Sequence, residues 1–333
     1  MKLAIDLGSS TTKIYCANAG NGIVLFEPSC VAVVDGEVKA VGKEAKKLIG
    51  KTTHQTQIIF PVYEGWIIDT RYAAEMLKKF FQKVGLSQMT LFRADVVFNI
   101  PCGISAMDFA SYQMLAEEVG LRKVHFVEAP YLAATGAYAR LEEGNPVFCI
   151  DAGGGVTNVA VLSPEGVIAG FSMNVGGNNI DAAIIDYMEA YKGLYIGSLT
   201  AERLKNELGS LSPNARISAV AEGCSVSTSL PSSTGVQSLE LTPCITAYID
   251  KILEYSKLVL NKLPAEVAAN VNQSGVFLSG GLMKLPYVRE YVASKLDMRA
   301  QVCEEPQFAI VRGGGALLRN KKTLQKIERK VDE

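Results

Sequence analysis

The chain has 333 residues, enough for one large two-lobed unit or two ordinary domains, and nearly half are apolar, enough to fill a sizeable core. Its 33 basic and 34 acidic residues nearly cancel, which excludes a chain-wide electrostatic footprint for nucleic acid. Two histidines far apart, His54 and His125, argue against a histidine metal centre or a Ser-His-Asp triad, and seven scattered cysteines with no C-x-x-C pair read as free thiols in a reducing cytoplasm.

The first residues, MKLAIDLG, read as a strand that starts at once, not as a signal peptide. LAIDLGSSTTKIYCA, from Leu3, continues as strand, I-D-x-G, a small-residue turn and a second strand. Arg71 to Val84 carries apolar residues at Ala73, Met76, Leu77, Phe80 and Phe81, a helical stripe stopped by Gly85. Met89, Leu91 and Phe92 then fall in an expected loop before a strand from Asp95 to Ile100. Ser105-x-x-Asp108 is a capping box, and Gly120 ends that helix. VHFVEAPYLAATGAY, from Val124, has the grammar of a strand, a tight turn and a helix opening on Pro130. His125 lies in the apolar strand and reads as structural.

FCIDAGGGVTNVAVL, from Phe148, repeats the pattern of the first hairpin half a chain later. In NVGGNNIDAAIIDYM, Gly176-Gly177 and Asp181 open another helix. Thr242-Pro243 is the expected cap and first position of a long helix to Leu263. VFLSGG places Gly280 and Gly281 at a strand-to-helix turn, where a ligand can approach the backbone. The basic end, RNKKTLQKIERKVDE, reads as a solvated terminal helix before a lipid or partner contact. Strands alternate with helices, so the class is α/β. No run reaches the ~20 apolar residues of a membrane span.

The paired hairpins carry the chemistry. Glycines with small hydroxyl residues let backbone N–H groups approach an anion closely, which makes a phosphate nest. An aspartate at each strand end, Asp6 and Asp151, can hold magnesium through water. Lys13 can reach a phosphate as a point charge. One such hairpin is an ordinary turn with Asp in it; two facing copies favour a phosphate grip from both sides.

These residues resemble the actin-like ATPase superfamily, and within it the bacterial shape-determining MreB family. The likeness runs through nearly the whole chain. Beside the two I-D-x-G turns it includes GIVLFEPSCVAV, AVGKEAKKLIGKT, PVYEGWIIDTRYAAEML, IGSLTAERLKNELGS and FAIVRGGGALL. The resemblance implies an actin-like fold, with each lobe built on a duplicated ribonuclease-H-like mixed sheet. It implies four subdomains: IA over residues 1–30, 66–145 and 316–333; IB over 31–65; IIA over 146–178 and 240–315; IIB over 179–239. It implies ATP or ADP with Mg²⁺ in the cleft. Gly8, Ser9, Ser10, Thr11 and Lys13 would contact phosphate on one side, and Gly153, Gly154, Gly155 and Gly177 on the other. Glu202 and Lys205 would border the nucleoside, with Gly280 and Gly281 beneath it. For Glu202 and Lys205 the plainer reading is a surface pair at i,i+3.

The resemblance also implies protofilaments at the inner face of the cytoplasmic membrane, with Met89, Leu91 and Phe92 as the contact and membrane-bound morphogenesis proteins as partners. Nucleic acid is not expected. The sequence departs from the family at the turn before Pro130. A glutamate that orients the attacking water is expected there, and the residue is Ala129, with Glu128 one place early. A threonine expected after the second glycine run is Val156, with Thr157 following. The expectation is a nucleotide-binding filament protein that hydrolyses slowly or not at all. The alternatives are a non-polymerising scaffold and a kinase-type enzyme of the same superfamily.

Overall fold

The computed structural model describes residues 1–20, 22–52, 55–137, 141 and 144–329; His54 and the last four residues lie outside this set. Two five-stranded sheets carry the molecule, and both have the same connectivity. In the first, Lys2–Leu7, Thr11–Cys16 and Ile23–Pro28 form an antiparallel meander. Asp95–Ile100 then adds parallel to the first strand, and Lys123–Glu128 adds parallel outside it. In the second, Val147–Ala152, Thr157–Ser163 and Gly166–Met173 form the meander, and Val276–Ser279 and Ala300–Val302 add in parallel. The duplication visible in the two I-D-x-G strings therefore extends to whole sheets. Their central strands are covered on both faces, which is why KLAIDL and VFCIDA read as nearly continuous apolar runs.

The register places the same chemistry at the same point of each copy. Asp6 stands opposite Lys13, and Asp151 stands opposite Asn158. Smaller three-stranded sheets sit in the chain between these parts: Val31–Val34 with Glu37–Val41 and Thr56–Ile59, and Leu194–Tyr195 with Ser218–Ser225 and Pro231–Gln237.

Several expected elements form with small shifts. The first long helix runs Thr70–Lys83, capped by Asp69, whose side chain accepts from the Tyr72 N–H; Gly85 follows with φ 72°. Ser105 caps Ala106–Glu118 by accepting from Asp108 N–H. The helix expected to start at Pro243 with Thr242 as its cap instead runs Ser238–Leu260, with Pro243 inside it. Tertiary ties pull its start five residues earlier, from 243 to 238. Ser238 exchanges hydrogen bonds with Ile217, and the Glu240 carboxylate accepts from Gln237 N–H at 2.7 Å. Proline withdraws one backbone donor, and the Thr242 hydroxyl donates to Ser238 O at 3.1 Å.

The basic terminus is docked. After Lys321–Ile327, Arg329 donates its backbone N–H to Phe126 O and its guanidinium to Ile104 O, and lies 4.9 Å from the Phe109 ring centre. His125 bridges Asp95, at 2.9 Å, and Glu328 through its two ring nitrogens, which accounts for a polar residue in that strand. All seven cysteines are free.

The helix Ala129–Gly136 leads out of the first sheet toward the second, and Ala309–Leu317 leads back. They cross with backbones in contact. A Cβ on Gly136 would lie 1.8 Å from Ala309 O, and one on Gly313 would lie 1.9 Å from Leu132 O. Neither obstacle is a flexible side chain, so the helices would have to separate. Gly313→Ala is expected to destabilise the protein by about 3 kcal/mol, the upper end for overpacking. A urea midpoint within error of the wild type would show that the crossing tolerates a methyl group.

Candidate nucleotide site

The two glycine turns meet face to face. Each is closed by the same bond, Gly8 N–H to Thr11 O at 3.2 Å and Gly153 N–H to Val156 O at 2.8 Å. A Cβ on Gly154 would lie 2.4 Å from Ser10 Cβ, and one on Gly155 would lie 2.8 Å from Ser9 Cβ. Side chains there would push the turns apart, so the glycines permit the approach as well as a nest for an anion. Gly177 and Asn178, at the start of the helix Gly177–Lys192, donate to Gly153 O and Gly154 O and tie that helix to the second turn.

A third turn, missed in the sequence, wedges against both. Gly65 donates to Ser9 Oγ at 2.8 Å and accepts from the buried Tyr112 hydroxyl at 2.7 Å. Its φ of 83° suits glycine, and a Cβ there would lie 2.5 Å from Val156 Cγ2.

Asp6 and Asp151 are each 3% exposed and line one cavity of about 80 Å³ between the turns. Asp6 accepts from Lys13 Nζ at 2.8 Å and Asn99 Nδ2 at 3.0 Å. Asp151 accepts from Ser279 Oγ at 2.8 Å and Asn158 Nδ2 at 3.2 Å. Asn99 and Ser279 sit on corresponding parallel strands, so the duplicated fold supplies each aspartate with one partner across the hairpin and one from the neighbouring strand. Burial, with the Asp6 charge adding to it, pushes the Asp151 carboxyl up to about 6 against the pull of Ser279, Asn158 and Lys13. Two buried carboxylates with one ammonium between them suit a divalent cation. Among the described residues no group of three or more His, Cys, Asp or Glu could hold a metal directly. That pattern fits Mg²⁺, which keeps much of its water shell and takes one or two carboxylates.

A second cavity of about 490 Å³ opens from the first. Glu202, Lys205, Gly281, Leu282, Leu285 and Pro286 help line it. Glu202 and Lys205 do not form the i,i+3 pair. Lys205 binds Asp181 at 2.7 Å and Gly177 O at 3.0 Å. Both Glu202 carboxylate oxygens bind Lys46, at 2.6 and 2.8 Å, a partner 156 positions away that no local pattern reveals. Burial raises the Asp181 carboxyl, opposed by Lys205. Gly280 has φ 88°, and a Cβ there would lie 2.2 Å from Ala152 O.

The turn before Pro130 separates two neighbours. Ala129 lines the cavity that holds the aspartates. Glu128 does not: its carboxylate accepts from Gly103 N–H at 2.8 Å and lines a different cavity with Cys102, Tyr131 and Glu165. Glu128 is therefore no candidate for the water-orienting base. Glu128 ends the strand Lys123–Glu128 and Ala129 opens the helix Ala129–Gly136, so the turn between them sends the two side chains into different cavities. Val156 also lines the cavity that holds the aspartates. Thr157 cannot replace the missing hydroxyl, because its Oγ1 is buried and donates to Val175 O at 2.7 Å.

Met89, Leu91 and Phe92 lie on a short helix, Gln88–Phe92, not in a loop. Leu91 packs into the core at 3% exposure, leaving Met89 and Phe92 outside at 64% and 58%. One turn of helix sends Leu91 to the face opposite its neighbours.

Two duplicated sheets closing glycine turns over a cleft, with an aspartate at each strand end, define an actin-like fold. The MreB/Mbl protein family profile matches residues 1–326. The chain is 32% identical to the cell shape-determining protein MreB of Escherichia coli K12, over 95% of this chain and 92% of that protein. It is 30% identical to the cell shape-determining protein Mbl of Bacillus subtilis 168, over 97% of each. MreB 5 of Spiroplasma citri bound to AMPPNP superposes with a TM-score of 0.90 at 26% identity, covering 96% of each chain. A MamK double helical filament superposes at 0.77 and 20% identity over 96% of this chain and 99% of that one, a likeness of fold. The chain belongs to the MreB/Mbl family.

The raised Asp151 carboxyl sets a pH dependence. The folded chain keeps a proton there that the unfolded chain has lost between about pH 4 and the folded value of about 6. Stability from this group is full below about pH 4 and is lost as pH rises through 6. The nucleotide-free protein is expected to lose melting temperature across that window more steeply than its Asp151→Asn variant. Parallel profiles would mean that Asp151 does not titrate there.

Proposed function

We propose that this protein binds an adenine nucleotide with Mg²⁺ in the cleft, polymerises into filaments at the cytoplasmic face of the membrane, organises cell shape or envelope synthesis, and hydrolyses its nucleotide only weakly. Membership of a family of cell shape-determining proteins supports the cellular role, and the nucleotide-bound S. citri MreB 5 structures support the ligand. The observation that carries weak hydrolysis is the position of Ala129 on the phosphate cavity while Glu128 faces another.

The paired turns and Lys13 would bind and orient the triphosphate, and Asp6 and Asp151 would hold a hydrated cation. A bound Mg²⁺ would supply charge neutralisation to the phosphates. Attack on the γ-phosphorus needs a water held in line with the leaving bridging oxygen. The methyl groups of Ala129 and Val156 neither donate nor accept, so the water is not positioned, and the rate falls by orders of magnitude. Binding and assembly do not need those groups. A filament formed this way lacks the timer that phosphate release supplies.

Membrane attachment rests on Met89 and Phe92, two exposed apolar side chains beside Arg122, whose guanidinium lies 5.9 Å from the Phe92 ring centre. Among the described residues no helix is long and apolar enough to cross a membrane. Two side chains bind weakly in one subunit, and a filament multiplies them. Membrane-bound morphogenesis proteins are the partners this reading implies.

Pelleting with ATP and magnesium, with phosphate followed in the same tubes, is expected to give sedimenting protein and almost no release. Ala129→Glu with Val156→Thr should then raise release at least about tenfold without improving pelleting, because one positioned acid–base group contributes 10² or more. Steady release from the wild type would overturn weak hydrolysis; no pelleting under any nucleotide would overturn assembly. Met89→Ser with Phe92→Ser should abolish co-flotation with anionic vesicles and leave pelleting intact, whereas unchanged flotation would place the membrane contact elsewhere.

A further inference from the structure

Gln307 belongs to no motif singled out in the sequence, yet it lines both the phosphate cavity and the nucleoside cavity. Only a few positions do so, among them Ser10, Lys13, Gly153 and Gly281. They mark the junction between the two cavities, which on the nucleotide reading is the place of the sugar. The Gln307 side-chain oxygen is buried and has no hydrogen-bond partner among the described residues. A buried carbonyl left unpaired is destabilising, so its position asks for a donor.

The backbone there is fixed on both sides. Pro306 O accepts from Gly280 N–H at 2.9 Å, which ties the one-turn segment Pro306–Phe308 to the glycines under the cleft. Phe308 packs edge-on against Phe26 with ring centres 5.2 Å apart, and Phe26 also lines the nucleoside cavity. The segment is entered through Glu305 at φ 46°, a left-handed backbone for a non-glycine residue, with Arg312 paired to its carboxylate.

Competing acceptors are accounted for. Glu202 is engaged by Lys46 through both oxygens. The unpartnered Asp181 Oδ1 belongs to a residue that lines a neighbouring apolar cavity, not the nucleoside one. Phosphate oxygens at neutral pH offer no proton. Of the donors an adenine nucleotide carries, the amino group sits at the far end of the base, whereas the sugar hydroxyls lie between base and phosphates.

Resting on the nucleotide reading above, we propose that Gln307 is a specificity residue for the ribose, its side-chain carbonyl accepting a hydrogen bond from one sugar hydroxyl of the bound nucleotide. A site built to pair with a hydroxyl rejects the analogue that lacks it, because the protein group is then left buried and unpaired.

The test is binding of ATP, 2′-deoxy-ATP and 3′-deoxy-ATP, each with magnesium, to the full chain by calorimetry. The wild type is expected to bind one deoxy analogue about tenfold more weakly than ATP. Gln307→Met, close in size and without a strong acceptor, should bring ATP down to the affinity of that analogue and leave the analogue within about twofold. Gln307→Glu keeps an acceptor and should keep the discrimination while weakening all three through charge. Thermal melts establish that the variants fold, and if the methionine variant does not, the glutamate variant decides: lost discrimination overturns the assignment. Equal binding of all three nucleotides by the wild type overturns it and leaves the nucleotide reading standing. Undiminished discrimination in Gln307→Met overturns it in the same way. No binding of any of the three would bring down both.

Discussion

The abutment of two glycine turns governs the centre of this molecule. Ser9 and Ser10 on one side lie so close to Gly154 and Gly155 on the other that any side chain at those glycines would part them. That contact sets how near the two sheets stand. It brings Asp6 and Asp151, each at the end of a central strand, into one buried cavity. The electrostatic tension of the site follows. Two carboxylates share little water and one nearby ammonium, and the Asp151 carboxyl is pushed up accordingly.

Around this contact the fold uses duplicated supports. Asn99 and Ser279 hold the two aspartates from equivalent strands, and Lys13 and Asn158 hold them from across the hairpins. The asymmetry between lysine and asparagine gives the copies different work. One presents a positive charge to the cavity and the other a neutral donor. The crossing of Ala129–Gly136 and Ala309–Leu317 through Gly136 and Gly313 joins the sheets behind the cleft. The pair Lys46 and Glu202 joins segments across its mouth. Ala129 starts one of the crossing helices, so the rim of the phosphate cavity and the joint between lobes are built from one segment.

Binding and turnover are separable in such a site. The groups that would grip phosphate are backbone amides, a lysine and two aspartates, and all are present. The groups that would orient a water occupy two positions, and both carry methyl groups. On the reading proposed above, the change is confined to positions that would touch the reacting water, and the contact between the two glycine turns does not depend on them.

Much of this was legible in the sequence because it depends on local grammar. The paired I-D-x-G strings determined the two hairpins, the duplication and the aspartates. Glycine spacing determined the turns, and apolar periodicity determined the helix Thr70–Lys83. Only the tertiary structure decided the rest, because it rests on contacts between distant segments. Lys46 meets Glu202, Gly65 reaches Ser9, and Asn99 reaches Asp6, with nothing local to announce them. The long helix begins at Ser238 and not at Pro243 because Ile217 holds its first residue. Leu91 is buried while Met89 and Phe92 are exposed, because a turn of helix formed where apolar composition alone had no direction to give.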